Sequence, residues 1–482
     1  MDAQNNFLAQ AQLLLGPKGL TQDPDLLAPW LTDWRGRYTG RAIAMASPES
    51  TQQVADLVRL CADHGIAIVP QGGNSGMSGG ATPDDSGNAI ILSLRRMNTI
   101  YPVDKQAQQV VCDAGVVLQD LHEAAHSHHL RFPLTLGGKG SATVGGLIAT
   151  NAGGTQVLRH GVMRHQVLGV EAVMADGSIF HSLDALKKDN RGFDLKQLLI
   201  GSEGTLGIIT RARLRLLPEI ADRYVIWSGT DRLSNARELL LICEAELGDI
   251  LEGFEVLPQH SHDAVMSYLP DARSPLEGPH SWHILIELAV SQGQNADMQA
   301  RAETVLSHAM DTGLVQDAVI AANERQAEDF WLIRETVAPA ERALGPAMQH
   351  DISVPVAQMA DFVDMAVPEV ERIFPGTTAI AFGHLGDGNV HFHVLAPAGA
   401  PAQEWETTEG KAVSRLVHDL VTKWGGSISA EHGIGQIKVD ELARLTDPAR
   451  LRIMRQIKQA LDPQNILNPG KLVNLAQSVP AS

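Results

Sequence analysis

The chain has 482 residues, 44% of them apolar and only 4% aromatic, with a formal net charge of −18. Length alone predicts two or three domains at about 150 residues each, with room for a sizeable core. The acidic balance excludes nucleic acid and an anionic membrane surface as partners, because both need basic protein surface. Cys61, Cys112 and Cys243 lie far apart inside apolar segments and read as inert core thiols in a reducing compartment. The stretch MDAQNNFLAQAQLLLGPKGL has no basic n-region and no Arg, and no run approaches the roughly 18 apolar residues of a membrane span. A cytoplasmic location is therefore expected.

In chain order, residues 1–38 read as a helix and a loop, with Leu13, Leu14, Leu15 and Trp30 packing inward. Ser47 to His64 is a helix capped at Ser50 or Thr51, with Val54, Leu57, Val58 and Cys61 on one face and Gly65 as its stop. A short strand, Ile66 to Val69, feeds the loop Pro70-Gln71-Gly72-Gly73-Asn74-Ser75-Gly76-Met77-Ser78-Gly79-Gly80. Glycines at this density let successive backbone N–H groups form a nest for a diphosphate. The loop has neither the Gly-x-Gly-x-x-Gly of a dinucleotide fold nor the Lys-Ser/Thr of a P-loop. Pro133 to Gly154 (PLTLGGKGSATVGGLIATNAGG) is lined by small residues, which suits a flat ligand against backbone. Val167 to Phe180 reads as a hairpin turning at Asp176-Gly177, and Gly201 to Thr210 leads into a strand Ala212 to Leu217.

Beyond Pro218 the texture changes to helices alternating with strands: Ser234 to Leu247, His283 to Val290 and Ala296 to Met310, then Ala412 to Lys423 and Pro448 to Leu461. Ser291 to Asn295 and Leu395 to Glu404 read as exposed loops. The fold class expected is α+β.

Phe382 to Val394, FGHLGDGNVHFHV, carries the densest chemistry. Its Gly386-Asp387-Gly388-Asn389 turn predicts a hairpin that brings His384 and His391 together, and His393, two residues on, is expected at the same point. Ala430-Glu431-His432-Gly433-Ile434-Gly435 adds a carboxylate and a further imidazole. Two imidazoles and a carboxylate with an open position suit a divalent catalytic metal such as zinc, and the remaining His can act as a base.

The three Gly-rich stretches, over about Thr39 to Pro218, resemble the FAD-binding domain of the vanillyl-alcohol oxidase (PCMH-type) superfamily. The resemblance implies FAD contacts from Gly72, Gly73, Asn74, Ser75, Gly76, Met77, Leu136, Gly137, Ser141, Gly146, Asn151, Gly204, Ile208 and Asn468. No His or Cys lies in the Pro70 to Gly80 loop, so the FAD is expected to be non-covalent. GHLGDGNVH, SAEHGIG and NPGK, in that order, resemble the FAD-linked oxidases that include D-2-hydroxyglutarate dehydrogenase, D-lactate dehydrogenase and the glycolate oxidase catalytic subunit. That likeness implies a metal held by His384, His391 and Glu431, His432 as base, and Arg334 on a substrate carboxylate.

The domains expected are an N-terminal segment 1–38, a PCMH-type FAD domain 39–218, an α+β cap 219–430 with an antiparallel sheet, and a segment 431–482 that completes the active site and packs on the FAD domain. The reaction implied is oxidation of a D-2-hydroxy acid (D-lactate, D-2-hydroxyglutarate, D-malate or glycolate) to its 2-oxo acid. The electron acceptor expected is an electron-transfer protein, a quinone or an artificial acceptor, with oxygen left open, and a homodimer is among the assemblies allowed. Where the hydroxyglutarate-type pattern has Thr, Lys and Asn, this chain has Ala338, Gln349 and His393. Gln349 and His393 are thus the substrate-end candidates, and the missing Lys removes a partner for a distal carboxylate. The rival readings are a flavin-binding partner subunit, a covalent-flavin alcohol oxidase and a zinc hydrolase.

Overall fold

The computed structural model describes residues 3–291 and 297–475, which fall into two compact units. One comprises Met1–Gly154, Gly161–Pro218 and the chain from Glu431 onward; the other comprises Thr155–His160 and Glu219–Ala430.

The first unit holds two four-stranded sheets. β1 (Leu20–Thr21), β2 (Ala44–Ala46), β3 (Ala67–Gln71) and β4 (Ala89–Ser93) pair in the order β1-β2-β4-β3, with β4 parallel to both β2 and β3. β5 (Gln109–Asp113), β7 (Val167–Val173), β8 (Ile179–Ser182) and β9 (Ile208–Arg215) form an antiparallel sheet, β5-β9-β7-β8. A small pair joins β6 (Leu130–Arg131) to β10 (Leu217–Pro218). The strand expected from Ala212 begins at Ile208, because Ile208 and Ile209 are buried and pair with β7 directly after the Gly-rich turn.

Local chemistry sets the element ends. The Ser50 hydroxyl accepts a hydrogen bond from the Gln53 amide at the start of helix Thr51–His64, and Gly65 ends it at φ 63°. In helix Ala3–Leu15 the buried stripe is Phe7, Ala11 and Leu15, at i, i+4 spacing. Leu13 is 88% exposed, which corrects its expected inward packing: consecutive leucines stand about 100° apart on a helix and cannot share one face. The C-terminal stretch is stitched into this unit. Asn468 donates its amide to the Ile68 carbonyl, and the Ile68 amide donates to Ile466. Buried Lys458 donates to the carbonyls of Thr205 and Leu467 while paired with Asp462.

The second unit is built on one seven-stranded antiparallel sheet. Its strands are β11 (Ile220–Thr230), β12 (Leu251–Pro258), β13 (Trp282–Ser291), β14 (Asp317–Ile320), β15 (Ala347–Ser353), β16 (Thr378–His384) and β17 (Asn389–Leu395), ordered β14-β11-β13-β12-β16-β17-β15. Of the loop expected at Ser291 to Asn295, Ser291 ends β13 and the remainder lies outside the described residues. Alternation along the strands divides the sheet. One face packs Trp227, Leu257, Leu285 and Phe382 against Phe330, Ile333 and Val337 of helix Glu324–Leu344. On the other, Phe392 meets Phe362 of helix Met359–Ile373 at 6.4 Å between ring centroids.

Candidate functional site

The turn after β16 closes as its residues dictate. The Asp387 carboxylate accepts from the Asn389 amide, Gly388 takes φ 79°, and β16 pairs with β17 antiparallel. The register sets Phe382 opposite His391, His384 opposite Asn389, Asp351 opposite His391, Gln349 opposite His393 and Glu255 opposite His384. Directly opposed residues share a face, so all of these side chains stand on the face covered by helix Glu324–Leu344. The His384 and His391 rings lie 5.4 Å apart.

His393 does not join them. Its Nδ1 lies 2.5 Å from the Glu341 carboxylate, whose other oxygen accepts from the Ser261 hydroxyl, and the Phe382 ring stands about equally close to His391 and His393. The expectation of three imidazoles at one point is corrected. Sharing a strand face fixes direction, but a residue two positions on stands nearly 7 Å away along the strand.

Glu255 is buried and central. Arg334 Nε and Nη2 each reach its Oε2 at 2.8 Å, and His384 Nδ1 lies 2.9 Å from its Oε1. Burial alone would raise this carboxyl, but the charges of His384 and Arg334, with their hydrogen bonds, outweigh it and hold it down to about 2. Burial first, then the neighbouring His384 and Arg334 charges, keeps the His391 imidazole neutral, the form in which it can donate to a metal. Asn389 donates to the Asp351 carboxylate. The chain then returns along β15: Ser427 and Ser353 exchange two backbone bonds, and the Ala430 amide donates to the Asp351 carbonyl. Glu431 is the next residue, and the division between the units falls between Ala430 and Glu431.

In the first unit, a cleft is lined by Gly72, Gly73, Asn74, Ser75, Gly76, Gly146, Gly204 and Ile208 from the expected set, and by His432. Among the described residues, the amides of Gly72 to Gly76 donate to no backbone acceptor. Buried Gln71 Oε1 and Thr143 Oγ1, both on cleft-lining residues, have no hydrogen-bond partner. Free donors and acceptors facing a cavity fit a large polar ligand such as FAD. A Cβ on Gly73 would come within 1.7 Å of the Ser141 carbonyl oxygen, so the loop closes this tightly only without a side chain. Met77, Leu136, Gly137, Ser141, Asn151 and Asn468 lie outside this lining. Asn151 ends helix Val144–Thr150 at φ 51°, and Asn468 ties the carbonyls of Gly80 and Glu203.

Sequence reasoning missed Glu203, whose buried carboxylate accepts from the Ile434 and Gly435 amides at 2.7 Å each and so fixes the loop after His432. The Ser78 hydroxyl donates to the carbonyls of His432 and Gly433 from the other side. It also missed Glu255 and Glu341. A legible signal existed for the former: a carboxylate inside the apolar strand LEGFEVLP must find a buried cationic partner.

Two family models match the chain: FAD binding domain over residues 42–182, and FAD linked oxidases, C-terminal domain, over 231–472. A protein named probable D-2-hydroxyglutarate dehydrogenase, mitochondrial, from Oryza sativa subsp. indica is 36% identical, over 97% of this chain and 81% of its own. A putative D-lactate dehydrogenase, mitochondrial, from Schizosaccharomyces pombe is 32% identical, over 94% and 85%. The solved structure of p-cresol methylhydroxylase with substrate bound shares the fold, with a TM-score of 0.77 at 17% identity over 99% of this chain and 98% of that one. The mitochondrial relatives overturn the expected cytoplasmic location; buried thiols and the lack, among the described residues, of a helix long and apolar enough to cross a membrane do not distinguish one aqueous compartment from another. The chain belongs to the family of FAD linked oxidases, an α+β fold with a PCMH-type FAD-binding domain.

Proposed function

We propose that the chain oxidises a D-2-hydroxy acid to the 2-oxo acid. The observation that carries this reading is the His384–His391 hairpin face, with Arg334 and Glu255 beside it, in a chain 36% identical to a D-2-hydroxyglutarate dehydrogenase. Bound FAD supplies the acceptor for the hydride that leaves C2. A divalent ion, zinc by its donor set, would be held by His384, His391 and Glu431 and would lower the pKa of the C2 hydroxyl and orient it. Support for Glu431 comes from chain connectivity: it follows Ala430, which is bonded to Asp351, the residue opposite His391.

Arg334 provides a guanidinium for the C1 carboxylate. His432, on a loop fixed by Ser78 and Glu203, accepts the hydroxyl proton at its imidazole as the C2–H bond breaks. Gln349 and the His393–Glu341 pair face each other across β15 and β17, on the same sheet face as His391. Gln349 stands where the hydroxyglutarate-type pattern has a Lys for a second carboxylate, so short hydroxy acids such as D-lactate should be oxidised at least as well as diacids. The electrons leave to an electron-transfer protein or a quinone, since the cysteines are single buried thiols and offer no cluster for a second redox centre.

The test is anaerobic mixing of the purified protein with D- and L-lactate, D-malate, D-2-hydroxyglutarate and glycolate, following the flavin absorbance with and without a chelator. Bleaching by a D-acid, abolished by chelation and restored by zinc, is the expected result. Bleaching that ignores the chelator would remove the metal from the reaction, and no bleaching by any of the acids would refute the oxidation itself.

A further inference from the structure

We infer that Glu255 is a positioning residue that holds the metal-binding and the substrate-binding side chains in one fixed geometry; this rests on the metal reading above. Glu255 sits mid-strand in β12 and is 1% exposed. A carboxylate at that depth is costly unless every lone pair is used. Here Oε2 is hydrogen-bonded, while Oε1 is within ion-pair distance of a second functional group without the alignment of a hydrogen bond. Oε1 faces His384 Nδ1 at 2.9 Å, from the neighbouring strand, and Oε2 takes the Nε and Nη2 edge of Arg334, from the covering helix.

Two consequences follow from the chemistry. With Nδ1 2.9 Å from a carboxylate, the His384 tautomer protonated at Nδ1 is favoured, which leaves Nε2 for a metal, and an imidazole so placed is a stronger donor. With Nε and Nη2 spent on Glu255 and the Arg334 guanidinium 5.2 Å over the Phe382 ring, the plane of Arg334 is fixed and its remaining Nη1 edge is aimed rather than free to rotate. Phe382 also contacts the His391 ring, so one apolar side chain backs both groups. A purely structural ion pair would need only one of these contacts.

The experiment measures zinc affinity by chelator competition on FAD-loaded wild type, Glu255→Gln, and the double variant Glu255→Gln/Arg334→Met. The last removes the guanidinium that the single change would strand in the interior. Zinc should bind about 10- to 100-fold more weakly in both variants, with flavin content unchanged and, in Glu255→Gln, a raised KM for D-lactate. A lower melting temperature with wild-type zinc affinity in either variant would overturn the inference and leave Glu255 a structural pair. Wild type that binds no zinc above background would instead overturn the metal reading itself, a result distinguishable because it needs no variant.

Discussion

His283 shows how one buried side chain can couple stability to pH. Its Nδ1 accepts from the Trp227 indole, which leaves Nε2–H to donate to the Gln259 side chain, so the geometry requires a neutral ring. Burial, followed by the nearby His262 and His280, pulls its pKa down to about 3. The unfolded chain would titrate near 6.5, so below that pH the unfolded state binds the proton and the folded state does not. Stability is therefore full above roughly pH 6.5 and falls as pH drops towards 3, by about 2 kcal/mol at pH 5 from this group. Urea midpoints at pH 7.5 and 5 should diverge less in His283→Gln than in wild type. An equal divergence would assign the acid sensitivity to other groups.

At the scale of elements, what was legible in the residues was local. The hairpin around Gly386 to Asn389, the capped helix after Ser50 and the helix Pro448–Leu461 follow from turn chemistry, caps and periodicity, and the structure contains each. What was not legible was long-range pairing. Arg334 and Glu255 are 79 positions apart, and Glu203 and Ile434 are 231 apart, separations at which no sequence period reports a contact. His393 was misplaced for the same reason, since Glu341 draws its ring away from His391. Glu203 makes the best element-scale test. Replacing it with Gln removes a charged acceptor from two buried amides, and hydrogen bonds to a charged group contribute about 1.5–3 kcal/mol each. Glu203→Gln should lose a few kcal/mol at most, because its carbonyl still accepts one amide, and limited proteolysis should cut faster between Glu431 and Gln436. Unchanged cleavage would mean that the Ser78 hydroxyl and the backbone bond from Gln436 to Ser78 hold the loop unaided. At Gly73, Gly73→Ala should lower the ratio of flavin to protein absorbance, since its new methyl group has no room beside Ser141.

For the whole molecule, the chain does not run through its two units once each. Six residues, Thr155–His160, belong to the second unit although the chain on both sides belongs to the first. Arg159 explains why this segment stays: Nη1 pairs with Glu252 at 2.7 Å and donates to the Ala289 carbonyl, and Nη2 donates to the Asp249 carbonyl. Glu252 is 1% exposed, with His160 as a further partner. Removing one member of a buried pair costs about 3–5 kcal/mol, because the other charge is left without compensation. Arg159→Ala should therefore lower the unfolding midpoint read by tryptophan fluorescence, since five of the seven tryptophans, Trp227, Trp282, Trp331, Trp405 and Trp424, lie in the second unit and only Trp30 and Trp34 in the first. Flavin fluorescence, which reports the first unit, is the internal control for a chain in which a single two-state transition cannot be assumed. A tryptophan midpoint equal to that of wild type would mean that the contacts left to Glu252, the one to His160 among them, hold the segment without Arg159.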